Sequence, residues 1–289
     1  MRLGITGATG FIGRHAVQRA MARGWDVVRF SRRPRDSSTR KFAPGEPADV
    51  DGLDAVLHLA GEPILGWWTK EKRRRIMDSR VLGTRSIVEG FARAARPPRV
   101  LVSGSAVGFY GDTGDTEVDE SSPPGRGFLA EVCRAWEAEA EKAQPAARVV
   151  LLRTGFVLGR DGGAMKLILP AFRLGLGGKL GSGRQWMSCI HVDDVAGMAV
   201  WAAENESIRG PLNAVMPQPV TNARFTRAVA RAVHRPAIMP NPAFLLRLFL
   251  GGMSSLLLDS SRVRPSVAEN GGYGYAFRTL DTALEAIAR

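Results

Sequence analysis

Cysteine is scarce in this sequence, and its positions suit neither cross-links nor metal binding. Only Cys133 and Cys189 occur among 289 residues, and they form no Cys-x-x-Cys pair and no metal-ligand spacing with the four histidines. We therefore expect neither a disulfide framework nor a structural metal. A reducing compartment, the cytoplasm, fits this composition best.

Long apolar runs are also missing. The most apolar segment, 243–258, is interrupted by Arg247 and by Gly251-Gly252, so it is too short to cross a membrane. We interpret it as a packed helix followed by a turn, and we expect no membrane partner. The first residues lead directly into a strand pattern, so we expect no targeting segment.

Acidic residues are few beside basic ones. The sequence has 40 Lys and Arg against 28 Asp and Glu, a net charge of +12. A nucleic-acid partner is one interpretation. However, the densest run, KEKRRR at 70–75, contains a Glu and lacks interleaved aromatic residues that would stack on bases. We favour charge scattered over the surface, expect no nucleic-acid partner, and note that a basic surface attracts an anionic cofactor or substrate.

Short apolar runs alternate with helical patterns through the first half of the chain. The patterns predict strands over 2–6, 25–30, 54–59, 99–103 and 148–152, and helices over 11–22, 69–95, 128–142, 193–204, 221–233 and 280–287. Strands separated by helices indicate parallel pairing through crossover connections. We expect a doubly wound α/β fold, with a larger domain over 1–235 and a smaller C-terminal lobe over 236–289.

A glycine-rich turn follows the first predicted strand and opens the first predicted helix. Its glycines would allow a tight turn, a close approach of pyrophosphate to the backbone, and close packing of helix on sheet. The helix N-terminus adds N–H groups and a favourable dipole. The alternative is a glycine turn with no ligand. We predict a Rossmann dinucleotide site with contacts from Gly7, Thr9, Gly10, Phe11, Ile12 and Gly13.

The end of the second predicted strand indicates which dinucleotide binds. NAD sites usually carry an Asp or Glu there to hold the ribose hydroxyls, whereas this strand ends in Ser31-Arg32-Arg33. Guanidinium groups form bidentate, charge-assisted hydrogen bonds with phosphate. These three residues therefore predict NADP(H), although they are also compatible with surface arginines in an Arg-rich chain.

Four further motifs follow in a specific order. They are HLAGE from His58, SGSAVGFYG from Ser103, LRTGFVLG from Leu152 and IHVDDVA from Ile190. With the glycine turn, their order and spacing resemble the extended or atypical short-chain dehydrogenase/reductase superfamily. Within it, the chain is most similar to the YfcH-like epimerase family, which has a small C-terminal domain of unknown function. The resemblance covers nearly the whole chain.

The resemblance implies roles for residues outside the glycine turn. Cofactor contacts are implied for Leu59, Ala60, Gly61, Glu62, Arg80, Arg153 and Val157. His191 and Asp193-Asp194 are implied to shape the wall between cofactor and substrate. From the residues alone, His191 is equally a structural histidine, and either aspartate is equally an N-cap of the next helix.

The Tyr-x-x-x-Lys pair that usually drives chemistry in this superfamily is absent. In that pair the Lys lowers the pKa of the Tyr, which exchanges a proton with the substrate oxygen as hydride moves. Counting back from Glu137 places Leu129 and Cys133 at the two positions, and none of the three tyrosines has a Lys four residues later. Turnover by the usual route is therefore in doubt.

Other polar residues remain as candidates for the site. Ser105 and Tyr110 are predicted to be catalytic, and Glu62 is a further candidate acid. Arg184, which follows the glycine-dense loop 175–183, is predicted to bind an anionic substrate, and His191 to line the same region.

Two classes of function remain for a chain of this kind. The leading hypothesis is an NADP(H)-dependent oxidoreductase or epimerase-like enzyme acting on an unidentified small molecule. The second is a non-catalytic NADP(H)-binding regulatory or interaction protein. A nucleic-acid binder is supported by charge alone, and a homodimer is left open.

Overall fold

The computed structural model describes residues 1–34, 36 and 38–288. The first half contains β1 (Arg2–Thr6), α1 (Phe11–Ala22), β2 (Asp26–Ser31), β3 (Thr39–Lys41), β4 (Ala55–His58), α2 (Lys70–Arg93), β5 (Val100–Ala106), a 3₁₀ turn (Val107–Tyr110), β6 (Glu117–Val118) and α3 (Phe128–Glu141). The second half contains β7 (Arg148–Thr154), β8 (Phe156–Leu158), α4 (Met165–Arg173), β9 (Trp186–Met187), β10 (Cys189–His191), α5 (Val192–Glu204), β11 (Gly210–Ala214), β12 (Val220–Thr221), α6 (Asn222–Ala232), α7 (Ala243–Leu250), a second 3₁₀ turn (Gly251–Ser254), α8 (Ser255–Leu258), β13 (Arg262–Val263), α9 (Ser266–Asn270) and α10 (Leu280–Ala288).

A seven-stranded parallel sheet forms the centre of the molecule. Its strand order is β11-β7-β5-β4-β1-β2-β3, and every neighbouring pair is parallel. The chain winds outward from β1 to β3, then crosses back to β4 and continues the other way. In such sheets ligands bind at the carboxyl ends of the strands beside this reversal, which here lies between β1 and β4.

Helices cover both faces of the sheet. Helices α1 and α5 pack together on one face, and α2 and α3 pack together on the other. All four residues of β4 are buried, as expected for a strand covered on both sides. The predicted doubly wound Rossmann fold is confirmed. None of the described helices combines the length and apolar character needed to span a bilayer.

Several elements differ from the expectations set by sequence. The edge strand β3, the helix α4 and the sheet strand β11 were not predicted. The helix and turn predicted within the apolar segment 243–258 form as α7 and the second 3₁₀ turn, but no residue of α7 is fully buried.

The C-terminal segment is joined to the larger domain by hydrogen bonds to buried groups. The Asp194 carboxylate, on α5, accepts from the N–H groups of Ala276 at 2.7 Å and Phe277 at 2.9 Å. The Tyr273 hydroxyl donates to the Asp194 carbonyl at 2.9 Å, and strand β13 pairs with β6. These contacts cross residue 235, and the division of domains there stays a prediction.

We predict that Asp194→Ala lowers the free energy of unfolding by about 3 kcal/mol, because the N–H groups of Ala276 and Phe277 lose a buried charged acceptor. Urea unfolding measures this loss. Asp26→Ala is the control: the ion pair of Asp26 with Arg2 is exposed and should cost less than about 1 kcal/mol. Equal losses in the two variants would mean that Asp194 does not hold the C-terminal segment.

Candidate functional site

Backbone atoms leave little or no room for a Cβ at the three glycine positions of the glycine turn. Gly7 has a φ of +66°, in the left-handed region. A Cβ on Gly13 would lie 2.1 Å from the Gly7 carbonyl oxygen, and one on Gly10 would lie 3.1 Å from it. Thr9 and Gly10 are exposed, no side chain caps α1, and its first turn carries no acidic residue. This turn fits a pyrophosphate held by backbone N–H groups.

The carboxyl end of β2, next to β1 in the sheet, carries the predicted phosphate-binding residues. The Ser31 hydroxyl accepts from the Arg33 N–H at 3.1 Å, which forms a short turn. Arg32 and Arg33 are exposed, and neither has a carboxylate partner among the described residues. Both guanidinium groups are therefore available to an anion on the same sheet edge as the glycine turn.

A buried pair that sequence reasoning missed holds the loop after β4. The Thr6 hydroxyl oxygen accepts from the N–H groups of Leu59 at 3.0 Å and Ala60 at 3.1 Å. Its single proton is then donated to Nδ1 of His58, at 2.8 Å, so His58 is neutral and protonated at Nε2. Burial lowers the pKa of His58 to about 4, which agrees with the neutral form. The signal in the sequence was the histidine at the end of a buried strand.

The residues after this loop are tied to helix α2. Arg80 donates to the Glu62 carbonyl at 3.0 Å and lies over the Trp136 ring, 5.1 Å from its centroid, beside Gly61. The Glu62 carboxylate pairs with Lys72 at 2.7 Å, and this hydrogen bond is the main reason that the pKa of Glu62 is lowered. The candidacy of Glu62 as an acid does not fit this geometry, because its carboxylate is ionised and paired.

The loop after β8 lies against the start of α1. The Phe11 ring packs closely against Gly159, Gly162 and Gly163, where a Cβ would come within 2.3–3.0 Å of it. Ile12 packs against the core between sheet and helices. Val157 pairs in register with Ile190 in the parallel β8–β10 ribbon. Phe11 and Val157 therefore join the glycine turn to the predicted nicotinamide side of the site.

A buried hydrogen-bonded cluster lies at the carboxyl ends of β5 and β7. The Glu137 carboxylate accepts from Nε and NH2 of Arg153, at 2.9 and 2.8 Å, and from the Ser105 hydroxyl at 2.5 Å. Arg153 also donates to the Tyr110 hydroxyl at 2.9 Å, and Tyr110 donates to Oδ1 of Asn213 at 2.8 Å. We call these five residues the Glu137 cluster. Arg153 is committed to internal partners, and its contact with a cofactor stays a prediction.

Tyr110 is a positioning residue in this geometry. Its proton is donated to Asn213, it is buried, and burial raises its pKa to about 12. The predicted exchange of a proton with substrate does not fit, because the hydroxyl has both of its hydrogen bonds inside the protein. Ser105 keeps its place at the strand end, with its proton held by Glu137.

Helix α3 places apolar groups at the two positions of the missing catalytic pair. Gly108 packs against Leu129, with the Cys133 thiol close behind. Cys133 is buried, and burial raises the pKa of its thiol to about 11, so it stays protonated at neutral pH. Neither side chain can replace a lysine that lowers the pKa of a tyrosine.

His191 is a structural residue of helix α5 in this geometry. Its Nδ1 accepts from the Asp193 N–H at 3.2 Å, so His191 itself is the N-cap, a role that the sequence offered to Asp193 or Asp194. The centroid of its ring lies 4.0 Å from the centroid of the Phe277 ring, and the side chain is buried. Asp193 instead binds Nδ1 of His15 at 2.7 Å. A contact of His191 with substrate stays a prediction.

The loop before β9 carries Arg184 at the surface. Its neighbour Gln185 is buried and donates to the carbonyl groups of Leu180 and Leu257, which anchors the loop. Arg184 is exposed and has no carboxylate partner among the described residues. Nor does the described part of the chain contain a cluster of three or more His, Cys, Asp or Glu side chains suited to a metal ion.

Comparison with known proteins identifies the family. A model of the NAD dependent epimerase/dehydratase family matches residues 3–214, and a domain of unknown function (DUF1731) matches residues 241–287. The chain belongs to the NAD dependent epimerase/dehydratase family. The predicted resemblance to this group, with its C-terminal domain of unknown function, is confirmed.

Relatives match along nearly the full length. The chain is 38% identical over 301 residues to the chloroplastic epimerase family protein SDR39U1 homolog of Arabidopsis thaliana, covering 99% of this chain and 86% of the relative. It is 36% identical over 295 residues to human epimerase family protein SDR39U1, covering 99% of both. It is 33% identical over 296 residues to epimerase family protein YfhF of Bacillus subtilis, covering 98% of this chain and 97% of the relative.

Two solved structures match closely. The crystal structure of human SDR39U1 isoform 2 with NADPH has a TM-score of 0.95 at 35% identity, covering 100% of this chain and 99% of that one. The nucleoside-diphosphate sugar epimerase of Corynebacterium glutamicum has a TM-score of 0.82 at 33% identity. The match covers all of this chain and 58% of that one.

We predict strong energetic coupling between Glu137 and Arg153. Glu137→Leu alone should cost about 3–5 kcal/mol of unfolding free energy, because it leaves a buried guanidinium unpaired. Adding Arg153→Met should recover part of this loss, so the double-mutant cycle in urea should give a coupling of at least about 2 kcal/mol.

The exposed pair of Glu71 and Arg74 is the matched control, with an expected coupling below about 1 kcal/mol. Additive losses at Glu137 and Arg153 would contradict the buried pairing.

We predict that His58 makes the protein less stable in acid. Its pKa is about 4 in the folded state against an ordinary 6.5, so the unfolded chain takes up a proton first as the pH falls. The stabilisation is present above pH 6.5 and is lost towards pH 4, by up to about 3 kcal/mol. Urea unfolding of the wild type and His58→Asn across this range isolates the effect, and identical slopes would refute it.

Proposed function

We propose that this protein binds NADP(H) and acts as an oxidoreductase or epimerase-like enzyme on a small molecule. The observation that carries the proposal is the sheet edge shared by β1 and β2. There an exposed, uncapped glycine turn lies next to a strand end that carries Arg32 and Arg33 and no carboxylate. The human relative crystallised with NADPH supports the same cofactor.

The chain's own residues divide the work of holding the cofactor. Backbone N–H groups of the glycine turn would hold the pyrophosphate, and Arg32 and Arg33 the ribose phosphate. The segment 59–61, fixed by Thr6, would flank the adenosine, and Val157 would border the nicotinamide. The bound nicotinamide donates or accepts a hydride.

Ser105, at the carboxyl end of β5, would orient a substrate. Its proton is donated to Glu137, so its oxygen accepts a hydrogen bond from a substrate hydroxyl. Substrate would enter between 103–110, 184–191 and the C-terminal lobe, with Arg184 available to an anionic group. The two cysteines are buried free thiols, which suits a cytoplasmic location.

The structure of α3 also favours a second candidate, a non-catalytic NADP(H)-binding regulatory protein. Leu129 and Cys133 stand at the two positions of the usual catalytic pair, and the Tyr110 proton is bound inside the Glu137 cluster. Oxidation of NADPH with any carbonyl substrate would decide for the enzyme.

We predict that NADPH binds more tightly than NADH, and that Arg32→Ala weakens NADPH binding by about 10- to 100-fold while leaving NADH binding unchanged. The reason is the loss of charge-assisted hydrogen bonds to the extra phosphate. Calorimetric titration of the wild type and variant with both cofactors measures this.

Arg93→Ala, at the exposed C-terminal end of α2, is the control and should bind both cofactors like the wild type. If neither cofactor bound at up to about millimolar concentration, the proposed cofactor site would be refuted.

A further inference from the structure

Two stretches of this chain contain basic residues and no acidic ones. Residues 162–192 contain four Lys and Arg and no Asp or Glu, and residues 207–258 contain six Arg and no Asp or Glu. The two stretches meet in the fold: the Met239 N–H donates to the Gly177 carbonyl at 3.0 Å, and the Gly181 N–H donates to the Asn241 carbonyl at 2.8 Å. The ten basic residues of these stretches therefore belong to segments that touch each other and themselves hold no acidic residue.

The same stretches hold most of the exposed apolar surface. Among the described residues, eight of the twelve exposed large apolar side chains lie in them: Leu167, Leu174, Leu176, Ile238, Met239, Phe244, Leu248 and Phe249. A soluble protein usually scatters such side chains singly, and concentration on one side marks an interaction surface.

Helix α7 carries the centre of this surface. Phe244 is 67% exposed and Leu248 is 71% exposed, and their spacing of four residues puts them on one face of the helix. Arg247 lies between them on the same face and is exposed. No residue of α7 is fully buried, so the helix contacts the rest of the protein only through its half-buried side chains.

A groove with two cations adjoins the helix. It has a volume of about 360 Å³ and lies between the N-terminal part of α6 and the segment 237–242. Lys179 and Arg227 line it, and neither has a carboxylate partner among the described residues. Arg224 and Arg231, on either side of Arg227, pair with Asp281. Ile238, 83% exposed, stands at the rim.

We propose that this surface docks on an anionic lipid bilayer. Phe244, Leu248 and Ile238 would enter the boundary between head groups and acyl chains, while Lys179 and Arg227 would receive a lipid phosphate in the groove. Apolar side chains flanked by cations are the chemistry of interfacial attachment, and Arg247 can extend its charge to the head groups. In this proposal the protein binds at the surface of the bilayer and does not span it. The proposal differs from the expectation, drawn from the sequence, that there is no membrane partner.

Charge and polarity favour a bilayer over other occupants. A two-fold contact between copies would bring the same acid-free stretches together, and like charges would repel. A nucleic acid would attract the cations but would leave Leu248 and Ile238 without apolar partners. A bilayer with anionic head groups satisfies both the charges and the apolar side chains.

Co-sedimentation of the full chain with vesicles tests the proposal. The wild type should sediment with phosphatidylcholine vesicles that contain phosphatidylglycerol, less so at high salt, and not with phosphatidylcholine alone. Phe244→Ser with Leu248→Ser should weaken binding at least about tenfold. Lys179→Ala with Arg227→Ala should weaken it about 30-fold and flatten its salt dependence.

The matched control removes one exposed apolar residue and one cation from other helices. Met21 on α1 and Arg93 at the end of α2 are both exposed, and Met21→Ser with Arg93→Ala should sediment like the wild type. Three results would overturn the proposal. The first is no binding of the wild type to vesicles that contain phosphatidylglycerol. The second is an equal loss of vesicle binding in the control. The third is a dimer in sedimentation velocity that disappears in the Phe244→Ser/Leu248→Ser variant, which we call the α7 variant. Binding to a DNA duplex that survives in the α7 variant, without vesicle binding, would assign the cations to a polyanion instead.

Discussion

The ion pair between Arg153 and Glu137 is the interaction on which the rest of the candidate site depends. Arg153 comes from β7 and Glu137 from α3, and both side chains are almost fully buried. A charge at this depth is tolerated only when it is paired and hydrogen-bonded, so the pair fixes how α3 sits against the sheet. Ser105 and Tyr110 take their orientations from it. The Glu137 cluster therefore holds α3 in place, but it does not supply the proton transfer of the Tyr-x-x-x-Lys pair that this helix lacks.

The cations of this chain lie in surroundings of two kinds. Near the strand ends, cations are either paired inside the protein, as Arg153 is, or exposed after β2, as Arg32 is. In the two acid-free stretches, cations stand beside exposed apolar side chains instead. The sequence shows which stretches lack acids, and the structure shows which of their cations and apolar side chains are exposed.

Local patterns in the sequence were sufficient for the parts of the fold that local physics determines. The bounds of β1 and α1 were predicted as found, because a buried strand, a glycine turn and an amphipathic helix each leave a local pattern. Strand β3 has three residues in a loop rich in Pro and Ser, and α4 contains Pro170, so neither leaves such a pattern. Both were missed.

The hydrogen-bond partners of the candidate site residues could not be predicted from the sequence. The pairing of Thr6 with His58 joins residues 52 positions apart, and no spacing rule reports it. Tyr110 was predicted to be catalytic, yet its hydroxyl is hydrogen-bonded to Asn213, 103 positions later. The exposed face of helix α7 was not foreseen, because apolar composition ordinarily predicts burial and does not report which apolar faces have partners.

The hydrogen bonds of Asp194 affect whether the two parts of this chain could be exchanged separately in evolution. It lies within the segment 3–214 that matches one family, whereas its donors Ala276 and Phe277 lie within the segment 241–287 that matches another. A gene rearrangement that attached a different C-terminal segment would leave a buried carboxylate without donors, at a cost of about 3 kcal/mol from a total stability of roughly 5–15 kcal/mol. A replacement segment would fit without that loss only if it brought its own pair of N–H groups to the same place.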